Sequence, residues 1–446
     1  MTDLPLSEEV IRSIPTFCFP ENAKVYRNKP ENSVHYLVFT DLSGNRTYAT
    51  CLTFYKPYVL QKEDSENLNL SLEVKKTNLS STKTRAYVPQ CCILISKYPY
   101  FYSMKECLSC MVDNIERDIE EMFFFVKEFT YVLTLTPVPP PGNVSVILTL
   151  SAFQMQMILY PSDWPDTPVI DIPLHLVFLS FSIDNVLKIF TSILTEERIV
   201  FVSSSYGKLA VIMESFLNFI LPFSWRFTYV PILSMSSLEL LEAPGTFMMG
   251  CHSKHMEVVD QVEGLVVVNI DDDTVKINPE PSDNGGVEKT IPDVPVEPAQ
   301  FFRKVAKAFR YQTDLDDVQR PFIYNLNEER KYRSRKIHQL NRQITLAFLE
   351  LMVNLFRGVI RELKVDLCKF NVEAFKETIA ETDKPFYDKV LQTDMFKTFL
   401  SERLAEKQDF WSDFGSKEPT ICEKGWRPVR QLFKYACKVY KSTYTT

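Results

Sequence analysis

Between residues 183 and 271 the apolar positions change their period several times, and each change predicts an element. IDNVLKIFTSILTEE carries them at helical spacing, and RIVFVSSS after it is an unbroken β-branched run ending in serines, the length of a buried strand. Tyr206-Gly207-Lys208 opens KLAVIMESFLNFIL, in which Leu209, Ile212, Met213, Phe216, Leu217 and Ile220 recur at helical spacing until Pro222. FTYVPIL (Phe227 to Leu233) predicts a second strand, and SSLELLEAP a short helix stopped by Pro244 and Gly245. TFMMG and LVVVNI predict a third and a fourth strand. Strands separated by helices need crossover connections, so this stretch is expected to form a largely parallel sheet with helices on its faces.

The flanks carry other patterns. VHYLVFTDLSGNRTYATCLTFYK predicts a hairpin about Ser43-Gly44-Asn45, and CCILIS a further strand. The polar residues 61–86 between them are expected to be an exposed, disordered insertion. A long helix is expected after Pro99, through YFYSMKECLSCMVDNIERDIEEMFFFVKEF. TPVPPPGN is a proline-rich break, VSVILTLS and QMQMILY alternate as strands do, and KINPEPSDNGGVEKTIPDVPVEP is a second linker. From Phe301 onward every apolar period is helical. The fold class is therefore α/β: an α/β N-terminal lobe (1–136), a linker (137–143), a largely parallel α/β module (144–275), a linker (276–298), an all-helical module (299–405) and a tail (406–446).

With 45% hydrophobic residues, 446 residues supply material for more than one core. A net charge of -7 argues against general nucleic-acid binding. MTDLPLSEEVIRSIP lacks the basic and apolar regions of a secretory leader, and the apolar runs fall short of the ~20 residues that span a bilayer. Ten cysteines in such a chain are expected to be reduced and mostly buried, and the sequons at Asn69 and Asn78 unglycosylated.

Candidate chemistry changes this picture little. SSSYGKLA places Gly-Lys at a helix start, as a phosphate site would, but lacks the first glycine and the magnesium-binding hydroxyl of a P-loop. Cys107-x-x-Cys110 and Cys251, His252 and His255 have no second half of a zinc site, and Asp271-Asp272-Asp273 lacks calcium-loop spacing. No nucleophile elbow is present. No cofactor, metal or covalent catalysis is expected. Arg330, Lys331, Arg333, Arg335 and Lys336 form a basic stretch suited to anionic lipid or an acidic partner, or to a solvated helix face. The tail GWRPVRQLFKYACKVYK sets Lys434, Lys438 and Lys441 against apolar residues, a pattern for a membrane-surface helix or for one that docks on the body.

LTEERIVFVSS, PFSWRFTYVPIL and EAPGTFMMGCH together resemble the central module of the DENN domain. The matching positions are Glu197-Arg198, then Trp225, Tyr229, Pro231 and Leu233, then Ala243, Pro244, Phe247 and Gly250. Asp41, Gly44, Arg46 and Tyr48 resemble the first hairpin of that family's longin-like module. Phe370-Asn371, Phe375, Pro385-Phe386-Tyr387 and Met395-Phe396 resemble its helical module, and Met249-Gly250-Cys251-His252 resembles one branch of the family.

The resemblance implies a guanine-nucleotide exchange factor that holds the switch regions of a Rab-type small GTPase between two lobes, promoting GDP release in vesicle traffic. The alternative is a scaffold of the same fold without exchange activity. The implied location is cytoplasmic, peripheral to endosomal or other vesicular membranes. Ligands of open α/β sheets meet the loops beyond the carboxyl ends of the strands. The GTPase-contact candidates are accordingly Ser203, Ser204, Ser205, Tyr206, Ser234 and His252, with Asp41, Asn45 and Arg46 from the N-terminal hairpin.

Overall fold

A computed structural model describes residues 8–41, 44–60, 85–115, 119–151, 154–163, 168–279, 290–318, 326–364 and 369–401. The N-terminal lobe begins with helix α1 (Glu8–Cys18), followed by strands β1 (Ser33–Thr40), β2 (Arg46–Val59) and β3 (Arg85–Ser96) in an antiparallel sheet of that order. Thr40 pairs with Arg46 across the expected turn. Arg85 and Ala86, expected in the insertion, already belong to β3, and 61–84 lies outside the described residues.

The long helix expected after Pro99 is two, α2 (Phe101–Ile115) and α3 (Ile119–Leu135). A continuous helix would hold Cys107 and Phe129 about 33 Å apart. Instead both residues sit in one apolar cluster, because α3 folds back. That cluster also takes Leu148, Leu150, Met155, Met157 and Leu159 from the hairpin β4 (Val146–Leu150) and β5 (Met155–Leu159). Sequence reading placed these strands in the central module, but they form their own two-stranded sheet against α2 and α3.

The central module holds α4 (Leu176–Ser180), α5 (Ile183–Leu194), β6 (Ile199–Ser203), α6 (Tyr206–Phe219), β7 (Thr228–Val230), a 3-10 helix (Met235–Glu242), β8 (Phe247–His252), α7 (Met256–Gln261), β9 (Val266–Asn269) and β10 (Thr274–Ile277). The strands lie in the order β10-β9-β6-β8-β7, all parallel except β10. β6 is buried on both faces, which is why its sequence is continuously apolar. Strand β10 falls partly within the expected linker 276–298 and pairs antiparallel with β9. The turn before it is structural: the Asp273 carboxylate accepts bonds from Ser182 N (3.0 Å) and Asn185 Nδ2 (2.8 Å) at the start of α5, and Asp271 accepts from Ser203 Oγ (3.0 Å).

Helices α8 (Val296–Val318), α9 (Leu326–Glu362), α10 (Val372–Glu377) and α11 (Lys384–Val390) make the third module, in which Leu363–Lys364 and Lys369–Phe370 also form a minimal strand pair. The module shares the central core rather than building its own. Phe348 of α9 stacks on Phe219 of α6 (centroids 3.8 Å, planes 7° apart) and meets Phe302 of α8 at 4.7 Å. Buried Asn341 bonds the backbone of Ile172 (2.7 Å) and Leu174 (3.1 Å).

Among the described residues no helix is long and apolar enough to cross a membrane. Phe348→Ala is expected to cost about 3–5 kcal/mol, since the cavity opens between two modules. Urea denaturation should show one weakened transition, not a separate loss of the helical module.

Candidate functional site

Helix α6 is the element that joins the lobes. Its residues 209–216 are all buried, and it packs along β1 of the N-terminal sheet on one side and against β6 and β8 on the other. Fourteen residues make a helix of about 21 Å, comparable to the roughly 26 Å of an eight-residue strand, so β1 is long enough to offer α6 an extended contact. Gly207 permits the approach: a Cβ there would lie 2.6 Å from the Val34 carbonyl oxygen. Close packing therefore accounts for the glycine of SSSYGKLA without a phosphate loop. Polar groups gather at both ends of α6.

At its N-terminal end Glu21, from the N-terminal lobe, is the centre. Its carboxylate accepts from Tyr206 OH (3.1 Å) and Lys254 Nζ (2.9 Å), and His255 Nε2 stands 3.5 Å away. Burial alone would raise the Glu21 carboxyl, but Lys254, Tyr206 and His252 together hold it below the ordinary range. His252 Nδ1 accepts from Lys254 N (3.1 Å), and desolvation keeps this imidazole's affinity for protons low despite Glu21. Beside this group, Asp271 accepts from Ser203 Oγ and Ser204 N and faces Lys208 Nζ at 3.5 Å.

At the C-terminal end a cleft of about 1350 Å³ opens between the lobes. One wall is β1 and the start of β2, and the other runs from Leu221 to Ile232. The Arg46 guanidinium lies over the Tyr229 ring at 5.0 Å, and its Nη2 donates to the Trp225 carbonyl at 3.3 Å. Glu214 lies behind it; burial pushes its carboxyl up, and Arg46 offsets part of that. Glu214, Asn218 and Tyr229 lie buried in its floor, where Glu214 and Tyr229 interact through their side chains. The cleft thus has exposed rims on both lobes over a buried polar floor.

The candidate residues divide accordingly. Asp41 and Asn45 are exposed and close their own turn, with Asn45 N donating to Asp41 Oδ1 at 2.8 Å. Arg46 lies inside the cleft rather than on the hairpin tip. Ser204 is exposed, and Ser205 and Tyr206 are half-buried. Ser203, Ser234 and His252 are buried, Ser234 bonding to Ser236 and Ser237, so they support loops instead of presenting themselves to a partner.

Sequence reading missed Glu21, Asp171 and Glu214, whose surroundings arise only from packing, and Arg226, which is exposed where it lines the cleft. The basic stretch divides as well. Arg330 pairs with Glu106 (3.5 Å) and donates to Cys110 Sγ (3.3 Å), tying α9 to α2, whereas Lys331 pairs with Glu328 and Arg333 with Glu329 along α9 itself. Lys336 lies over the Tyr332 ring at 5.8 Å, and Arg335 acts on Tyr160. Arg333 and Arg335 are exposed, so this part of the stretch is a solvated helix face. Lys434, Lys438 and Lys441 lie outside the described residues.

Comparison with known proteins follows this geometry. The family profile of the DENN (AEX-3) domain matches residues 87–273, and that of the uDENN domain residues 2–54. DENN domain-containing protein 3 of Mus musculus is 36% identical over 401 residues, covering 89% of this chain and 30% of that protein. DENN domain and WD repeat-containing protein SCD1 of Arabidopsis thaliana is 28% identical over 238 residues, covering 53% of this chain and 18% of that protein. DENN domain-containing protein 1B of Homo sapiens is 22% identical over 420 residues, covering 90% of this chain and 45% of that protein. The chain spans less than half the length of each of these three relatives.

Asp171 yields a test of the cleft wall. The residue is half-buried as a whole, yet its carboxyl is enclosed: burial raises it from 3.8 to about 7, opposed by the bond from Ser103 N (2.8 Å). The native state therefore keeps a proton that the unfolded chain has lost. The contribution is full below about pH 4, declines by about 1.4 kcal/mol per pH unit, and levels off above about pH 7. Asp171→Asn, which retains an acceptor for Ser103 N, is expected to remove that decline when urea denaturation is compared from about pH 5 to about pH 8.

Proposed function

The chain belongs to the DENN-domain family, and on that premise we propose that it is a guanine-nucleotide exchange factor for a Rab-type small GTPase. The observation that carries the reading is the cleft beside α6. Both lobes contribute its rim, so one partner seated there touches the Asp41–Asn45 turn and the Ser224–Thr228 segment together. The seam is held by α6 with little freedom to yield. A flexible GTPase switch region pressed against it must adapt instead.

Exchange of this kind needs no covalent step from the factor. It needs a surface that binds the nucleotide-free GTPase more tightly than the loaded one. A thousandfold acceleration of GDP release requires about 4 kcal/mol of that preference. The exposed rims of the cleft, on both sides of Arg46 and Tyr229, are the surface that would supply it. Within the family, the Met249–His252 segment and the identity to the mouse protein favour the branch of DENN domain-containing protein 3. The N-terminal lobe is read as longin-like, and the site of action as the cytoplasmic face of endosomal or other vesicular membranes, reached through the basic tail.

The test is release of a fluorescent GDP analogue from a panel of purified Rab proteins, with and without the chain. Acceleration of one or two members is expected. Binding without acceleration across the panel would replace exchange by a scaffold role. Arg226→Glu, at the exposed mouth of the cleft, is expected to lower exchange kcat/KM at least about tenfold, or ~1.4 kcal/mol, with an unchanged thermal midpoint. Removing residues 423–446 is expected to abolish sedimentation with anionic liposomes while leaving exchange in solution intact.

A further inference from the structure

Folding assembles a thiol cluster that local spacing does not announce. Cys18 ends α1, Cys51 lies in β2 and Cys91 in β3, and their three sulfurs are within 4.8 Å of one another. The strand register explains the convergence. Cys91 opposes Thr53, so Cys51 and Cys91 are diagonal neighbours on one face of the sheet. His35 directly opposes Cys51 on the same face. Helix α1 closes over this face through Ile14 and Phe17 and delivers Cys18.

We propose that Cys18, Cys51 and Cys91, with His35 as the fourth ligand, form a structural zinc site. Tetrahedral zinc–thiolate distances of ~2.3 Å place the sulfurs about 3.8 Å apart, so the cluster needs a contraction of no more than about 1 Å to close around the ion. His35 is set up as a ligand. Its Nε2 lies 3.0 Å from the Phe17 carbonyl oxygen, and donation there puts the lone pair on Nδ1, the outer hydrogen bond that metal-bound histidines commonly make. It is buried, at 4% exposure, on the face of the sheet that carries Cys51.

Zinc would replace the thiol protons, releasing them to solvent, and pin α1 to the sheet. The same apolar cluster contains Ile232 and Tyr206 of the central module, so the pin would brace the lobe seam. Cys107 differs: it is buried beside Met157 Sδ (3.8 Å), outside any such group.

The experiment is metal analysis of the full chain purified with reductant and zinc, then desalted. One zinc per chain is expected, with protection of all three thiols from alkylation and a lower thermal midpoint after chelation. Cobalt substitution should give thiolate charge transfer and intense tetrahedral ligand-field bands in the wild-type protein, a readout independent of whether variants fold. Cys18→Ser is expected to lose the metal, and Cys107→Ser to keep it. Substoichiometric zinc with all three thiols alkylated, or a disulfide between two of them in the metal-free protein, would overturn the proposal.

Discussion

Helix α6 has no solvent face along its middle, and the rest of the molecule is arranged around satisfying it. Leu209 to Phe216 are buried whichever way they point, because β1 covers one side, the parallel sheet another, and Phe348 of α9 stacks on Phe219. A helix buried all round is stable only inside a larger body. Each of the three segments that look separable in the sequence therefore needs the other two to cover this one element. Gly207 and Gly250 are the tightest points of that arrangement, since a Cβ at Gly250 would lie 1.9 Å from the Pro231 carbonyl oxygen.

A fully buried middle, whose polar side chains are Glu214 and Ser215, concentrates polar contacts across the lobes at the ends of the helix, and both ends fall at the lobe boundary. At one end Glu21 collects Tyr206, Lys254 and His255 into a closed group whose bonds cross the seam. At the other, Arg46 crosses it to Tyr229 and Trp225 in front of the buried Glu214. The first end is a closed polar group, and the second lines an open cleft between the lobes.

How much of this was legible in the sequence varied with the range of the interaction. The order strand, helix, strand from β6 to β8 could be read directly, and the motif positions in it identified the family. Tyr229, Pro231 and Gly250 of that motif serve the floor of the cleft and the contact between neighbouring strands. The hairpin at Asp41–Arg46 was also legible, yet Arg46 turned inward to an aromatic ring far along the chain. Within the basic stretch at 330–336 the partners of Lys331 and Arg333 are local, but that of Arg330, Glu106, lies in another module and left no mark in the sequence.

The sequence by itself determined which segments became strands and helices, because burial on one or both faces imposes a period that is local to each segment. It also determined membership of the family, through spacing within one continuous module. Only the tertiary structure decided that β4 and β5 join the N-terminal helices, that Glu21 crosses the lobes, and that three cysteines and a histidine meet on one face of a sheet. Those outcomes depend on strand register and on how helices fold back over sheets. Residues that meet in this way are distant along the chain, and no period in the sequence records their pairing.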